Sequence, residues 1–231
     1  MLHSKRFPNE SAEYRRDRDL VLVAERDLRD NVERVAKMRR ALPVGGEIPC
    51  DYVFQRAMPK ARLGEDVLMS ELFGSAHNTL LIYSLMFGPA MERPCPLCTS
   101  IVDSLDGAAP HVNQRATLVV VAKSPAARIA EFAEERGWRN VSVLSSAQNT
   151  FNADYHAETQ EGGQVPMLTT FVRQGQTIRH ASSTELEFLP AGAGQDARHV
   201  DSFWPLWNLL DLTPEGRGAD WHPQLSYPPA T

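Results

Sequence analysis

The sequence predicts an α/β fold, and three observations support this prediction. Two near-continuous apolar runs, at residues 79–87 (TLLIYSLMF) and 117–122 (TLVVVA), have the composition of parallel strands that are covered on both faces. A segment with helical periodicity follows each run. Further along, residues 165–181 (VPMLTTFVRQGQTIRHA) predict two strands joined by a tight turn at Gln174-Gly175. Strand, helix, strand and helix in this order indicate a right-handed βαβ arrangement.

The first predicted element is a long helix from about Asn9 to Leu42, which Pro43 and Gly45-Gly46 end. Its apolar residues recur at helical spacing among arginines and acids: Ala24, Leu28, Val32, Val35 and Leu42. A short strand from Asp51 to Gln55 and a brief helical turn at MSELFG then lead to the first apolar run.

Two helices flank the second apolar run. The first helix begins at a pair of cysteines and presents one apolar face, made of Cys98, Ile101, Val102 and Leu105. The second helix has Ser124 as its predicted N-cap and Pro125 at its first helical position, and it ends at Gly137. Residues 141–144 (VSVL) predict another short strand.

The C-terminal part of the chain predicts one more helix. SFWPLWNLLDL is amphipathic, with Ser202 as its cap and Pro205 in its first turn, where proline is tolerated. The length of 231 residues fits one large domain with extensions. We therefore predict an N-terminal helical extension (residues 1–46), an α/β domain (residues 47–212) and an irregular tail rich in proline and glycine (residues 213–231).

Composition excludes several functional classes. The apolar fraction of 42% is ordinary and the net charge is only −5, so neither disorder nor a nucleic-acid partner is indicated. The N-terminus lacks the apolar run of a signal peptide, and no stretch approaches the roughly 20 apolar residues that cross a bilayer. We therefore expect a cytoplasmic protein without a membrane partner. Three cysteines do not make a secreted disulfide framework, and in a reducing compartment a close pair is typical of catalysis or metal binding.

The close pair lies in the stretch MERPCPLCTS, residues 91–100. Pro96 suits the first position of a helix, which makes Cys95 the N-cap and puts Cys98 on the helix. An N-cap side chain faces unpaired amides and the positive end of the helix dipole, so a thiolate is favoured at Cys95. We predict that Cys95 is the nucleophile and that Cys98, on the apolar face, is the resolving thiol.

Other interpretations of the pair remain open from the residues alone. Two buried cysteines without chemistry would share this spacing. A zinc site would need two more ligands, and the nearest candidates, Cys50, His77 and His111, are scattered along the chain. We therefore expect no metal and no cofactor, and we treat Cys50 as a bystander.

A second informative position is Pro166, which lies just before an apolar strand. Such a proline is excluded from the middle of a sheet, and the residues alone leave open a trans bond at a sheet edge or a cis bond at a bend. The order of elements adds to this pattern. A CxxC at a helix start after an apolar strand, then a βα unit, a Val-Pro before a hairpin and a last helix, resembles the thioredoxin fold.

This resemblance implies a thioredoxin-like three-layer fold with a central mixed sheet, to which this chain adds a long N-terminal helix and a C-terminal helix and tail. In that family a cis-proline loop lies against the active-site disulfide, and the residue before the proline binds extended substrate through its backbone. The resemblance therefore implies a cis Val165-Pro166 bond beside Cys95, with Val165 and Pro166 as substrate-binding residues. The inner pair, Pro96 and Leu97, is similar to the glutaredoxin-type Cys-Pro-x-Cys and is expected to contact substrate as well.

A closer resemblance covers the chain from about Leu20 to Arg217. The segments RRALP, DYVF, SELFG, LLIYSLMFGP, CPLC, FNADY and LLDLTPEGR are similar to those of a bacterial thioredoxin-like family catalogued as domain of unknown function 899. Its members are labelled predicted dithiol-disulfide oxidoreductases. The resemblance implies that activity, with a disulfide-containing protein or a small thiol as the substrate.

Two alternative functions are retained. The order of elements also resembles peroxiredoxins, but these enzymes place Thr or Ser three residues before the reactive cysteine, where this chain has Glu92. Arg93 or Arg115 would have to supply the cation of a thiol peroxidase. The second alternative is a redox-inactive interaction scaffold, in which the long N-terminal helix or the aromatic C-terminal helix serves as the binding element. Either helix would also suit a homodimer.

Overall fold

The computed structural model describes residues 3–75, 77–218 and 220–228. The chain divides into two compact units after Pro43. The first unit contains helix α1 (Ala12–Ala41), so the predicted long helix is confirmed. Ser11 caps this helix because its hydroxyl accepts a hydrogen bond from the amide of Tyr14 at 3.0 Å.

The second unit, from Val44 onward, is built around one seven-stranded sheet. Its strands are β1 (Val53–Arg56), β2 (Asp66–Leu68), β3 (Thr79–Leu85), β4 (Thr117–Ala122), β5 (Ser142–Ser145), β6 (Met167–Gln174) and β7 (Thr177–Ser183). Its helices are α2 (Pro96–Val112), α3 (Ala126–Arg136), α4 (Phe151–Asp154) and α5 (Pro205–Leu210). The strand order across the sheet is β2-β1-β5-β4-β3-β6-β7.

The centre of this sheet has the predicted thioredoxin-like arrangement. Strand β3 runs parallel to β4, and α2 forms the connection between them. The β6–β7 hairpin lies on the other side of β3, and β6 pairs antiparallel with β3 so that Ser84 faces Met167. The sheet is therefore mixed, and the cysteines lie where β3 passes into α2.

Two apolar cores cover the two faces of the sheet, because successive side chains of a strand point to opposite faces. On β3, Tyr83 and Leu85 point to one face, while Leu80 and Ile82 point to the other. The first core contains apolar residues of α2 and α3, and we call it the helical face. The second core gathers the aromatic residues around Phe151 of α4, and we call it the aromatic face. The predicted three-layer α/β fold with a central sheet is confirmed.

Three predicted local details are wrong by one or two residues. Pro125, not Ser124, is the N-cap of α3, because the Ser124 hydroxyl donates to the carbonyl of Gly88 at 3.1 Å instead. Trp204, not Ser202, is the N-cap of α5, because Pro205 occupies the first helical position. The hairpin turns at residues 175–176 rather than 174–175, because Gly175 takes the positive φ of +63° that the turn requires.

No helix among the described residues combines the length and the apolar character needed to cross a lipid bilayer.

Candidate redox site

The fold holds the cysteine pair at the junction of β3 and α2. The amide of Cys95 donates to the carbonyl of Met86 at 3.0 Å, so the motif is tied to the segment that leaves β3. Pro96 is the first residue of α2 and Cys95 is its N-cap, as the sequence predicts. Cys95 is half-buried and Cys98 is buried, and both are free thiols.

The environment of Cys95 favours its thiolate. The side chain of Cys98, by hydrogen bonding to the Cys95 sulfur, is the main cause that lowers the pKa of Cys95 to about 6. The amides of Cys98 and Leu97 contribute in the same direction, while burial opposes them. Among the described residues the Cys95 side chain makes no capping hydrogen bond of ordinary geometry, and the neighbouring thiol adds a cause that the predicted helix start did not include.

Cys98 has the opposite character. Its hydrogen bond to Cys95 and its burial raise the pKa of Cys98 well above the usual range of a thiol, and the charge of Cys95 adds to this effect. The two residues therefore share one proton unequally near neutral pH. Cys95 carries the negative charge at the half-exposed position, and Cys98 remains the protonated donor in the core.

Sequence reasoning did not find a third group at the site, Tyr83 of β3. Its side chain is completely buried on the helical face, in the same cluster as Cys98. Burial is the main cause that raises the pKa of Tyr83 well above its ordinary value, followed by the interaction with Cys98. The one signal in the sequence is a hydroxyl group inside the apolar run TLLIYSLMF, and a buried tyrosine in a strand is too common for that signal to identify a site.

Val165 and Pro166 lie at the same edge of the sheet as Cys95. Met167 pairs with Ser84, so the residues before Met167 lie level with the end of β3, where Met86 holds the amide of Cys95. The predicted cis bond is wrong: among the described residues the cis peptide bond is Met58-Pro59, and Val165-Pro166 is trans. The Val165 amide donates to the carbonyl of Ala157 at 2.9 Å, and this extended path continues directly into β6.

A cavity of about 210 Å³ opens beside Leu97, within the Cys-Pro-Leu-Cys sequence. Its other walls come from the C-terminal region and combine aromatic rings with paired charges. They include Trp204, Trp207, Trp221, Arg217, Asp196 and Asp201. The Arg217 guanidinium lies 5.6 Å from the centre of the Trp207 ring and forms an ion pair with Asp211 at 2.8 Å. Because this charge is paired, the cavity presents aromatic surface rather than a free cation.

The residues considered for a thiol peroxidase are Glu92, Arg93 and Arg115, and all three are exposed. Glu92 is exposed, and Arg93 donates to Glu135 at 2.8 Å while its guanidinium lies over the ring of Phe132. Arg115 is exposed beyond the far end of α2. Among the described residues, no arginine contributes to the lowered pKa of Cys95.

The scattered metal candidates do not come together. His77 Nε2 lies 3.2 Å from the carbonyl oxygen of Asn113, and His111 and Cys50 are exposed. Within residues 3–75, 77–218 and 220–228, no group of three or more His, Cys, Asp or Glu residues could hold a metal ion.

Comparison with known protein families gives a match that covers nearly the whole chain. The family described as "Bacterial protein of unknown function (DUF899)" matches residues 4–228. The chain belongs to this family. The membership predicted from the sequence segments is therefore confirmed. No curated protein matches this DUF899 chain.

Several solved structures are similar to the DUF899 chain at low identity. A peroxiredoxin-like protein from Aquifex aeolicus is 16% identical, with a TM-score of 0.43 over 62% of this chain and 75% of that one. Peroxidoxin BcpB from Mycobacterium tuberculosis is 20% identical, with a TM-score of 0.45 over 71% and 94%. A peroxiredoxin Q C84S mutant from Xanthomonas campestris is 14% identical, with a TM-score of 0.45 over 72% and 97%.

Proposed function

We propose that this protein is a thiol-disulfide oxidoreductase in which Cys95 attacks and Cys98 resolves. The Cys95 thiolate attacks one sulfur of a substrate disulfide, forms a mixed disulfide and releases the first substrate thiol. Cys98 then attacks the Cys95 sulfur, forms the Cys95–Cys98 disulfide and releases the second substrate thiol. The substrate is thereby reduced by two electrons and the protein is oxidised by two.

One observation carries this proposal: a half-exposed thiol with a pKa of about 6 is hydrogen-bonded to a buried thiol with a raised pKa. The first group is a nucleophile at neutral pH, and the second stays protonated until the first has reacted.

Substrate contacts are proposed at four residues around Cys95. Pro96 and Leu97 lie between the cysteines, and the aromatic cavity beside Leu97 offers space for a side chain that flanks the substrate disulfide. Val165 and Pro166 lie just before β6, level with the end of β3 that leads to Cys95. Because the amide of Val165 is already bonded to Ala157, binding of an extended substrate there falls to the Val165 carbonyl. We propose a disulfide-containing protein or a small disulfide as the substrate.

The test is mass-resolved alkylation of the reduced protein and of its Cys95→Ser and Cys98→Ser variants, all in a Cys50→Ser background that removes the exposed third thiol. We expect Cys95 to be alkylated first at pH 7, and we expect Cys98→Ser to accumulate a mixed disulfide when a disulfide is added. Equal, slow labelling of both cysteines with no disulfide formed under oxidant would contradict the proposal and leave the interaction scaffold.

A thiol peroxidase is the second candidate, because the same low pKa and adjacent thiol would also serve a sulfenic acid intermediate. The Cys95 thiolate would be oxidised by peroxide to sulfenic acid, and Cys98 would condense with it to a disulfide and water. Exposure of the Cys98→Ser variant to hydrogen peroxide separates the two functions. Rapid, stoichiometric sulfenic acid at Cys95 with peroxide turnover by the wild type would favour the peroxidase.

A further inference from the structure

The hydroxyl of Tyr83 is a buried polar group on the helical face of the sheet. The side chain is 0% exposed, and within the described part of the chain its oxygen has no hydrogen-bond partner of ordinary geometry. A buried hydroxyl without a partner is destabilising, and most buried polar groups in proteins are paired. Phenylalanine would fill the same space without burying an unpaired hydroxyl. The presence of tyrosine at this position therefore needs an explanation.

The cysteine pair provides that reason. Tyr83 and Cys98 belong to the same buried cluster, and the amide bond from Cys95 to Met86 fixes the start of α2 against the end of β3. The Cys98 sulfur is close enough to the Tyr83 hydroxyl for each group to shift the pKa of the other. A hydrogen bond from the hydroxyl favours the thiolate of Cys98, in opposition to burial and to the charge of Cys95.

The resolving step needs such a donor. While Cys95 is a thiolate, it accepts the hydrogen bond of Cys98, but in the mixed disulfide this charge is gone. Cys98 must then become a nucleophile inside an apolar core, where its thiolate is poorly solvated. The ionisable groups that influence Tyr83 are the two cysteines at the start of α2 and Glu187, whose carboxylate lies 2.7 Å from His199 Nε2. Two neutral donors favour the Cys98 thiolate, the Tyr83 hydroxyl and the backbone amide of Met86, and of the two the hydroxyl is the side-chain donor.

We propose that Tyr83 is a positioning residue for the second step, in which its hydroxyl donates a hydrogen bond to the Cys98 sulfur as that sulfur attacks. The proposal rests on the oxidoreductase function above and adds a group to its mechanism. The sulfur–sulfur bond between Cys95 and Cys98 forms, and the bond from Cys95 to the substrate sulfur breaks. The electron pair leaves with the substrate sulfur, which takes up the proton that Cys98 loses. Tyr83 keeps its own proton throughout.

A two-step disulfide reagent tests this proposal. Reduced protein in the Cys50→Ser background is mixed with 5,5′-dithiobis(2-nitrobenzoate), which releases one thionitrobenzoate when Cys95 attacks and a second when Cys98 resolves. Tyr83→Phe should leave the first step unchanged, slow the second by about tenfold at pH 7 and move its pH midpoint upward by about one unit. Tyr52→Phe is the matched control, because it removes another buried tyrosine hydroxyl on the aromatic face and should alter neither step.

The possible outcomes separate the two proposals. An unchanged second step with an unchanged pH profile in Tyr83→Phe overturns the role of the tyrosine and leaves the oxidoreductase intact. Equal slowing of both steps also overturns it, because a general disturbance of the site would then be the cause. If the wild type releases only one thionitrobenzoate and forms no Cys95–Cys98 disulfide, the oxidoreductase mechanism fails and the tyrosine proposal fails with it. Tyr83→Met, measured in the same way, serves as the second variant should Tyr83→Phe not fold.

Discussion

The two faces of the sheet each bury a tyrosine, and the two hydroxyl groups have different surroundings. On the aromatic face, Tyr52 is 1% exposed and its hydroxyl donates to Asp154 at 2.7 Å. The ring of Tyr52 packs edge-on against Phe151 at 5.4 Å. On the helical face, the Tyr83 hydroxyl lacks an ordinary partner within the described residues and lies beside Cys98.

From this difference we infer a structural role for the Tyr52 hydroxyl and a functional role for the Tyr83 hydroxyl. A buried hydroxyl that is paired with a carboxylate adds to stability and needs no further explanation. A buried hydroxyl beside Cys98 contributes little to stability, but it is available to the Cys98 sulfur when that sulfur becomes charged. We therefore propose that the Tyr52 hydroxyl on the aromatic face serves stability and that the Tyr83 hydroxyl on the helical face serves redox chemistry, and four predictions test this division.

The largest expected effect is a loss of stability, caused by a substitution on the aromatic face. Phe151 is completely buried among the rings of Tyr52, Phe54, Tyr155 and Phe171, so Phe151→Ala should lower the free energy of unfolding by about 3–5 kcal/mol. Urea unfolding measures this loss. The alkylation rate of Cys95 in the folded variant should stay unchanged, because the sheet separates the two cores. A variant that is destabilised and also has altered Cys95 reactivity would break the division.

The next effect concerns pH and the helical face. Since the pKa of Cys95 is about 6, its alkylation rate should rise about tenfold between pH 5 and pH 7 and then level off. The alkylation rate falls at low pH because the thiolate is the reactive form and becomes protonated as the pH falls through the pKa of Cys95. Cys98→Ala removes the main cause of the lowered pKa and should move the midpoint upward. A midpoint that stays near 6 in Cys98→Ala would show that the helix amides dominate instead.

A smaller effect compares the two tyrosines directly. Tyr52→Phe should cost about 1–2 kcal/mol of unfolding free energy, because a hydrogen bond to the Asp154 carboxylate is lost. Tyr83→Phe should cost less, because no ordinary hydrogen bond is lost and a buried polar group is removed. Parallel thermal and urea unfolding of the two variants measures the difference. Equal losses would show that Tyr83 has a structural partner of its own.

The smallest effect on activity and stability is expected for a substitution outside both buried cores. Cys50 is exposed and belongs to neither buried core, so Cys50→Ser should leave disulfide reduction within about twofold of the wild type and change stability by less than about 0.5 kcal/mol. An insulin-type reduction assay with Cys95→Ser alongside provides the comparison. A loss as deep as that of Cys95→Ser would move part of the chemistry to Cys50.

Much of the fold was predictable because its signals are local. The apolar runs of β3 and β4 predict buried parallel strands, and the proline at position 96 predicts the start of α2 together with Cys95 as its N-cap. The caps of α3 and α5 were wrong because two polar residues, Ser124 and Ser202, each lie near a proline that fixes the true boundary. A proline restricts the backbone directly, whereas a serine only offers a hydrogen bond that another group can take.

The candidate site was predictable only in part. The helix start at Pro96 and the N-cap position of Cys95 were predicted from the sequence, and the order in which the two cysteines react stays a prediction. The trans bond at Val165-Pro166 did not, because the carbonyl of Ala157 that holds the Val165 amide lies eight residues earlier in the chain, where the sequence carries no sign of it. The same holds for the cavity beside Leu97, whose other walls begin about a hundred residues later.

The sequence by itself determined the α/β class, the long first helix and the N-cap position of Cys95, because each depends on periodicity or on residues within one helical turn. The family followed from short characteristic segments along the chain. Only the tertiary structure decided that the Tyr83 hydroxyl is buried in the same core as Cys98, without a partner of ordinary geometry among the described residues. These properties depend on burial and on pairs of groups that chain folding brings together. A pKa responds to solvent exclusion and to distances of a few ångströms, and neither can be read from residue spacing alone.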